Sequence, residues 1–227
     1  MALLGTGAVA IWHDIAPEGL SAFYDWHGRE HMPERVGIPG FRRGRRYVAA
    51  KADLQFFNLY EADGIDVLRG EGYRARLENP TPWTVETVKH FRRVNRSICT
   101  VARSHGTGAA GLVATWRYDV PDARADGERL WENVLLPLAE EHGVAGVHLL
   151  VADRDASAVD TAERKARGGE ANVVPSRAVL VEGWGDEADF ADLLAARIPD
   201  EALRAEGAEG PIASGLYRLQ LHLDASA

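Results

Sequence analysis

Apolar residues recur from Leu20 through Phe23 and Tyr24, and the same stripe runs on through His27 and His31 at helical spacing. That pattern predicts a helix whose buried face ends in two imidazoles. On this phasing Glu30 borders the face from the side, while Trp26 and Arg29 turn away from it. Upstream, residues 5–15 predict a strand from their β-branched and aromatic content, and Ala16-Pro17-Glu18-Gly19 starts the helix. Pro33 and then Ile38-Pro39-Gly40 end it, because proline lacks the amide proton and drives the preceding residue extended. Residues 41–50 and 54–62 follow as strands. A helix over 65–77 is weakened by Gly70 and Gly72, Asn79-Pro80-Thr81-Pro82 breaks the chain, and a short helix over 83–94 leads into a strand over 96–104. The order is β-α-β-β-α-β, the ferredoxin-like unit.

After a glycine-rich linker at 106–111 the pattern starts again. Strands are predicted at 112–120, 146–152, 177–184 and 215–223, with helices at 128–142 and 187–198. Trp26 leads to Gly40-Phe41 much as Trp131 leads to Gly146-Val147. The expectation is an α+β chain of two tandem ferredoxin-like repeats, residues 1–105 and 112–227, packed sheet to sheet as a barrel within one chain. A polar stretch at 153–176 holding Gly168-Gly169 is expected to be a long mobile hairpin insert in the second repeat. Trp12, Trp116 and Trp184 fall in predicted strands and are expected in the core.

Composition narrows the function. With 227 residues, 46% of them hydrophobic, the chain can bury a substantial core. A net charge of -8 argues against nucleic acid as a partner, since binding a phosphate backbone needs a positive face. No run of about 20 apolar residues suggests a membrane span, and the N-terminus lacks the basic start of an export signal. The single cysteine, Cys99, permits no intrachain disulfide and fits a cytoplasmic location. A small-molecule substrate is the partner these features leave, and an uncovered edge or helix surface would allow a homodimer.

The run Trp26-His27 to Glu30-His31, then Pro33, then Pro39-Gly40-Phe41 with Arg46-Tyr47, resembles the EthD-like branch of the dimeric α/β-barrel superfamily. The resemblance spans about 25 residues, all in the first half. It implies a barrel built from paired ferredoxin-like units, with a small hydrophobic cavity. It also implies cofactor-free chemistry of the kind shown by polyketide cyclases, muconolactone isomerases and cofactor-free monooxygenases. In the second half Glu132 follows Trp131 and no histidine pair faces inward, so one site per chain is expected.

His27 and His31 are the candidate acid-base residues, because imidazole titrates near neutrality. Glu30 is a candidate to orient one ring and raise its basicity. Trp26, Tyr24, Arg46, Tyr47, His13 and Tyr60 are the candidate substrate contacts. With period two, Arg42 and Arg46 fall on one face of their strand, and Arg43, Arg45 and Tyr47 on the other. One set could clamp an anionic substrate, or the cluster could salt-bridge and resist edge pairing. The leading expectation is an isomerase, cyclase or dehydratase using no organic cofactor. A cofactor-free monooxygenase and a non-catalytic ligand carrier are the alternatives. His27 to His31 also spells H-x-x-E-H, a zinc-hydrolase signature, but no third ligand is evident, so no metal is expected.

Overall fold

A computed structural model describes residues 3–121, 127–168 and 172–226. Eight antiparallel strands, β1 (Gly7–Ile15), β2 (Phe41–Ala52), β3 (Phe56–Ala62), β4 (Phe91–Gly106), β5 (Leu112–Asp119), β6 (Val144–Ala152), β7 (Arg177–Gly183) and β8 (Glu209–Asp224), close into a barrel. The order around it is β1-β3-β2-β8-β5-β7-β6-β4. Strands β1 to β4 therefore sit together in the order β4-β1-β3-β2, and β5 to β8 in the order β8-β5-β7-β6. The two groups join edge to edge, β2 with β8 and β4 with β6, so no strand edge is left open. Closure replaces the face-to-face packing of two sheets expected from the sequence.

Strand alternation sorts the side chains. Ala8, Ala10, Trp12, Tyr47, Phe57, Leu59, Val113, Leu180 and Tyr217 fill the barrel interior. Val9, Tyr60 and Ile98 face outward under the first-half helices, and Trp116, Val147, Leu149 and Val181 do so under the second-half ones. Cys99 lies inside the barrel, and burial pushes its thiol up to about 12, which makes it an inert core residue. Trp184 departs from expectation: it lies just past the end of β7 and is 49% exposed, edge-on to His142.

The arginine strand divides as its period requires. Arg42 pairs with Asp63 at the surface, while Arg43 and Arg45 point into the barrel. Arg45 spans the two halves, donating to Glu61 at 2.9 Å and to Glu182 at 2.6 Å, and His148 Nε2 lies 3.2 Å from Glu182. Burial alone would raise the Glu182 carboxyl, but the hydrogen bond from His148 and the Arg45 charge hold it at about 2. Such a buried, paired cluster adds little net stability, because the desolvation of its charges offsets their attraction. Resistance to edge pairing is not its task, because β2 is no edge strand.

Three local predictions are corrected. The helix that starts at Leu20 does not end at Pro33 but continues to Val36, as α-helix Leu20–Trp26, a π-helical turn His27–His31 and α-helix Met32–Val36. In the π turn the Met32 amide reaches back five residues to the His27 carbonyl. The widened turn relieves the crowding that a proline ring imposes on the carbonyl four residues earlier, so Pro33 is tolerated. Second, Gly70 adopts an extended conformation (φ -69°, ψ 162°) and splits the 65–77 helix into Ile65–Arg69 and Glu71–Glu78. Third, the described part of the stretch after β6 is not a hairpin: it folds as two short helices, Arg154–Ala158 and Ala162–Ala166, capped by the Asp153 and Thr161 side chains, and Gly169 of the predicted insert lies outside the described residues. These helices lie over the first half of the chain, where the candidate site is.

Candidate active site

The 20–36 helix crosses the outer face of β1 and β3, and a small cavity of about 50 Å³ lies between them. Trp26, His27 and His31 line it from the helix, and Ile11, Asn58 and Tyr60 from the sheet. Asn58 and Tyr60 are two apart on β3 and so share a face. The second half supplies the roof, through Ser157, Thr161, Glu163, Arg164 and Arg167.

Both imidazoles are buried, His27 at 2% and His31 at 7% exposure. Their ring centroids are 5.6 Å apart. The Tyr60 hydroxyl lies 3.1 Å from His27 Nε2, and the Nδ1 atoms of both rings have no hydrogen-bond partner among the described residues. Burial drives both rings well below the ordinary imidazole range, and the nearby charges of Arg46 and Arg35 push the same way. They are therefore neutral near pH 7. Burial also raises the Tyr60 hydroxyl, with the Arg35 charge opposing it, so the phenol stays protonated. The same burial and charges make each imidazole a weak base, so a proton moves onto it only as a substrate anion forms alongside to pair with the imidazolium, and the protonated phenol is the available donor.

The π turn shapes this group. It aligns residues five apart, so Trp26, which ideal α-helical phasing turns away, packs against His31 with centroids 4.2 Å apart and the rings tilted by 37°. Glu30 is carried the other way. Its carboxylate accepts from the Thr81 hydroxyl at 2.6 Å and the Thr84 hydroxyl at 3.2 Å, and Trp26 Nε1 donates to the same Thr84 hydroxyl at 3.1 Å. Glu30 thus ties the helix to the N-terminus of helix Pro82–Val88 and orients neither imidazole.

The other predicted contacts separate by face. His13 lies beneath the cavity wall, its Nε2 2.9 Å from Asn58 Nδ2, and burial lowers it to about 3. Arg46 is on the outer face behind the helix, over the rings of Phe23 and Tyr24 at 5.5 and 5.0 Å, and Gln220 accepts its Nε proton. Tyr24 is half-buried and acts as a platform for Arg46. Tyr47 is a correction: one residue on from Arg46, it points into the barrel and stacks on Phe57, on the opposite side of the sheet from the cavity. The sequence argument missed Asn58, whose Oδ1 is buried without a partner among the described residues, and the roof residues from 157 to 167. The period-two pattern of β3 carried the signal for Asn58. Nothing local signals the roof, because it comes from the other half of the chain.

Among the described residues no group of three or more His, Cys, Asp and Glu side chains is placed to hold a metal ion. In the H-x-x-E-H run the π turn directs Glu30, the residue that would be the general base of such a site, toward Thr81 and Thr84. No helix among the described residues is long and apolar enough to cross a membrane.

No family model and no curated sequence matches the chain. Solved structures do. An anthrone oxidase-like protein superposes with a TM-score of 0.64 at 12% identity, over 97% of this chain and 93% of that one. A protein from Lactobacillus acidophilus NCFM, provisionally named a monooxygenase, gives 0.56 at 12% identity over 97% of each chain. Another from Fusobacterium nucleatum, similarly named, gives 0.55 at 10% identity over 98% of each. At such identities the likeness is one of fold: this chain has the eight-stranded α+β barrel architecture of these proteins.

Proposed function

We propose that the chain is a small-molecule enzyme that removes a proton from an electron-rich aromatic carbon acid in the His27–His31–Tyr60 cavity and passes the resulting carbanion to dioxygen, without an organic cofactor. The observation that carries this reading is the pair of water-shielded, neutral imidazoles with unpartnered Nδ1 atoms beside the Tyr60 hydroxyl. Burial makes a neutral base and withholds the water that would quench a carbanion. For a ring CH2 group the balance is direct. His27 takes one proton, dioxygen accepts the electrons, one oxygen atom becomes the new carbonyl and the other leaves as water with both hydrogens. The names carried by the fold neighbours support oxygenation over the other fates of a carbanion. The WHxxEHxP run supports placing the chain near the EthD-like branch. On this reading residues 1–105 and 112–227 are two copies of one unit, of which only the first bears the site.

A second reading is isomerisation or cyclisation, favoured by the 3.1 Å contact between His27 and Tyr60, which puts a proton acceptor and a donor on one cavity. Oxygen uptake separates the two. With anthrone as the test substrate, oxygenation consumes one dioxygen per turnover, and His27→Ala or His31→Ala lowers kcat by about 10²–10⁴-fold, the usual worth of a positioned general base. Unchanged uptake in both variants overturns the site, and conversion of a lactone or polyketide-like substrate without oxygen uptake favours the second reading.

A further inference from the structure

Resting on the reading above, we propose that the substrate is an aromatic monoanion, whose ionised oxygen group takes the place of the Glu163 carboxylate on Arg35. The first observation is size. The cavity is about 50 Å³, whereas an empty apolar cavity that takes up benzene is about 150 Å³. An aromatic ring enters only if a wall moves.

The second observation identifies the wall. Ile11, Asn58 and Tyr60 belong to paired barrel strands, and Trp26, His27 and His31 to a helix pinned by Glu30 and Trp26. Helix Ala162–Ala166 is different: it is five residues long and buries none of them. Its hold on the first half is largely polar, through the Ala162 amide on Glu78 at 3.3 Å and the Glu163 carboxylate on Arg35 Nη2. Apolar contact adds only the small, partly buried Ala166 side chain against the Phe23–Trp26–Phe91 cluster, so exchange of that ion pair loosens it.

Charge identifies the ligand. Among the described residues Arg35, Arg96, Arg164 and Arg167 line the cavity, against one lining carboxylate, Glu163. Arg35 is only 3% exposed and divides its two Nη groups between Glu34 and Glu163. Displacing Glu163 with a neutral molecule would leave a buried guanidinium half-paired, which is costly. An incoming carboxylate, phenolate or enolate restores the pair, and guanidinium accommodates each of them. The Arg46 and Arg35 charges, which add to burial in keeping His27 and His31 neutral, favour an anion beside them.

The test is anaerobic calorimetric binding to the full chain, with 1-hydroxy-2-naphthoate as the anionic probe and 1-naphthalenemethanol as the neutral one. The wild-type chain is expected to bind the anion at least about tenfold more tightly. Glu163→Gln, which removes the competing carboxylate, is expected to tighten the anion by about a further tenfold. Arg164→Gln, on the exposed side of the roof, provides a variant that does not touch the buried pair, and it should weaken the anion alone. Equal affinity for the two probes, or a Glu163→Gln variant that binds the anion no better, overturns the proposal. The reaction is judged separately, with anthrone and an anthrone bearing a ring carboxylate as substrates: tight anion binding without oxygen uptake from either sinks the oxygenase reading and leaves this one standing, and uptake without anion preference does the reverse.

Discussion

The two π turns of this chain have the same backbone and different chemistry. His27–His31 is followed by Met32 and Pro33, and Trp131–Leu135 by Leu136 and Pro137. In each, the amide after the turn bonds the carbonyl five residues back, Met32 to His27 and Leu136 to Trp131. In each, the proline that follows is accepted because the turn has widened. The side chains at matched positions differ. Superposing the turns places Trp131 at the position of His27, one residue from the match with Trp26 expected from the sequence, and Leu135, fully buried among Leu130, Leu138, Val147 and Val181, at the position of His31. The turn is therefore scaffold, and the chemistry comes from what two of its positions carry. Packing differs accordingly: the second-half turn closes onto apolar neighbours, while the first leaves two Nδ1 atoms unpartnered beside a void.

The largest effect should come from making the first turn resemble the second. His27→Leu combined with His31→Leu is expected to abolish oxygen uptake to within background, a loss of about 10²–10⁴-fold. Folding at neutral pH should survive, because neutral rings lacking Nδ1 partners are replaced by apolar groups. Denaturant titration checks the second half of this expectation. If the variant keeps its activity, the difference between the turns has no functional meaning.

A smaller effect concerns acid. His13, His27 and His31 all titrate below their ordinary value when folded, first because of burial. The unfolded chain then binds more protons, so stability is complete above the unfolded value of about 6.5 and falls as the pH drops through the range below it. Each ring contributes a slope of about 1.4 kcal/mol per pH unit while it differs between the two states. Denaturant midpoints between pH 7 and pH 5 should fall steeply in the wild type, and by two rings' worth less in the double leucine variant. Equal slopes would contradict the burial argument. The smallest effect is expected at Tyr47, whose hydroxyl is buried in the barrel without a partner among the described residues. Tyr47→Phe should leave turnover unchanged and stability within about 0.5 kcal/mol, as measured by uptake and thermal unfolding.

Much of this arrangement was legible in the sequence, for reasons that particular residues show. The stripe from Leu20 to His31 placed both imidazoles on the buried face, since residues four apart stay neighbours on the helix. The alternation of β2 put Arg46 and Tyr47 on opposite faces, which already excluded one of them from any shared site. Glu30 and Trp26 were misplaced because they were phased on an α-helix, whereas the π turn adds a residue to the cycle and moves each to the other side. The π turn leaves no local signature except the proline that should have ended the helix and did not. The roof was illegible because Glu163 and Arg35 lie 128 residues apart, and a polar, glycine-containing stretch carries no periodicity to say what it covers.

The account turns on two neutral rings in a buried pocket, and imidazole nitrogen NMR shifts of His27 and His31 between pH 7.5 and pH 5.5 test this directly. Both rings are predicted to remain neutral across the range. Titration of either with a midpoint near 6.5 would mean that water reaches it, and would contradict the site as described.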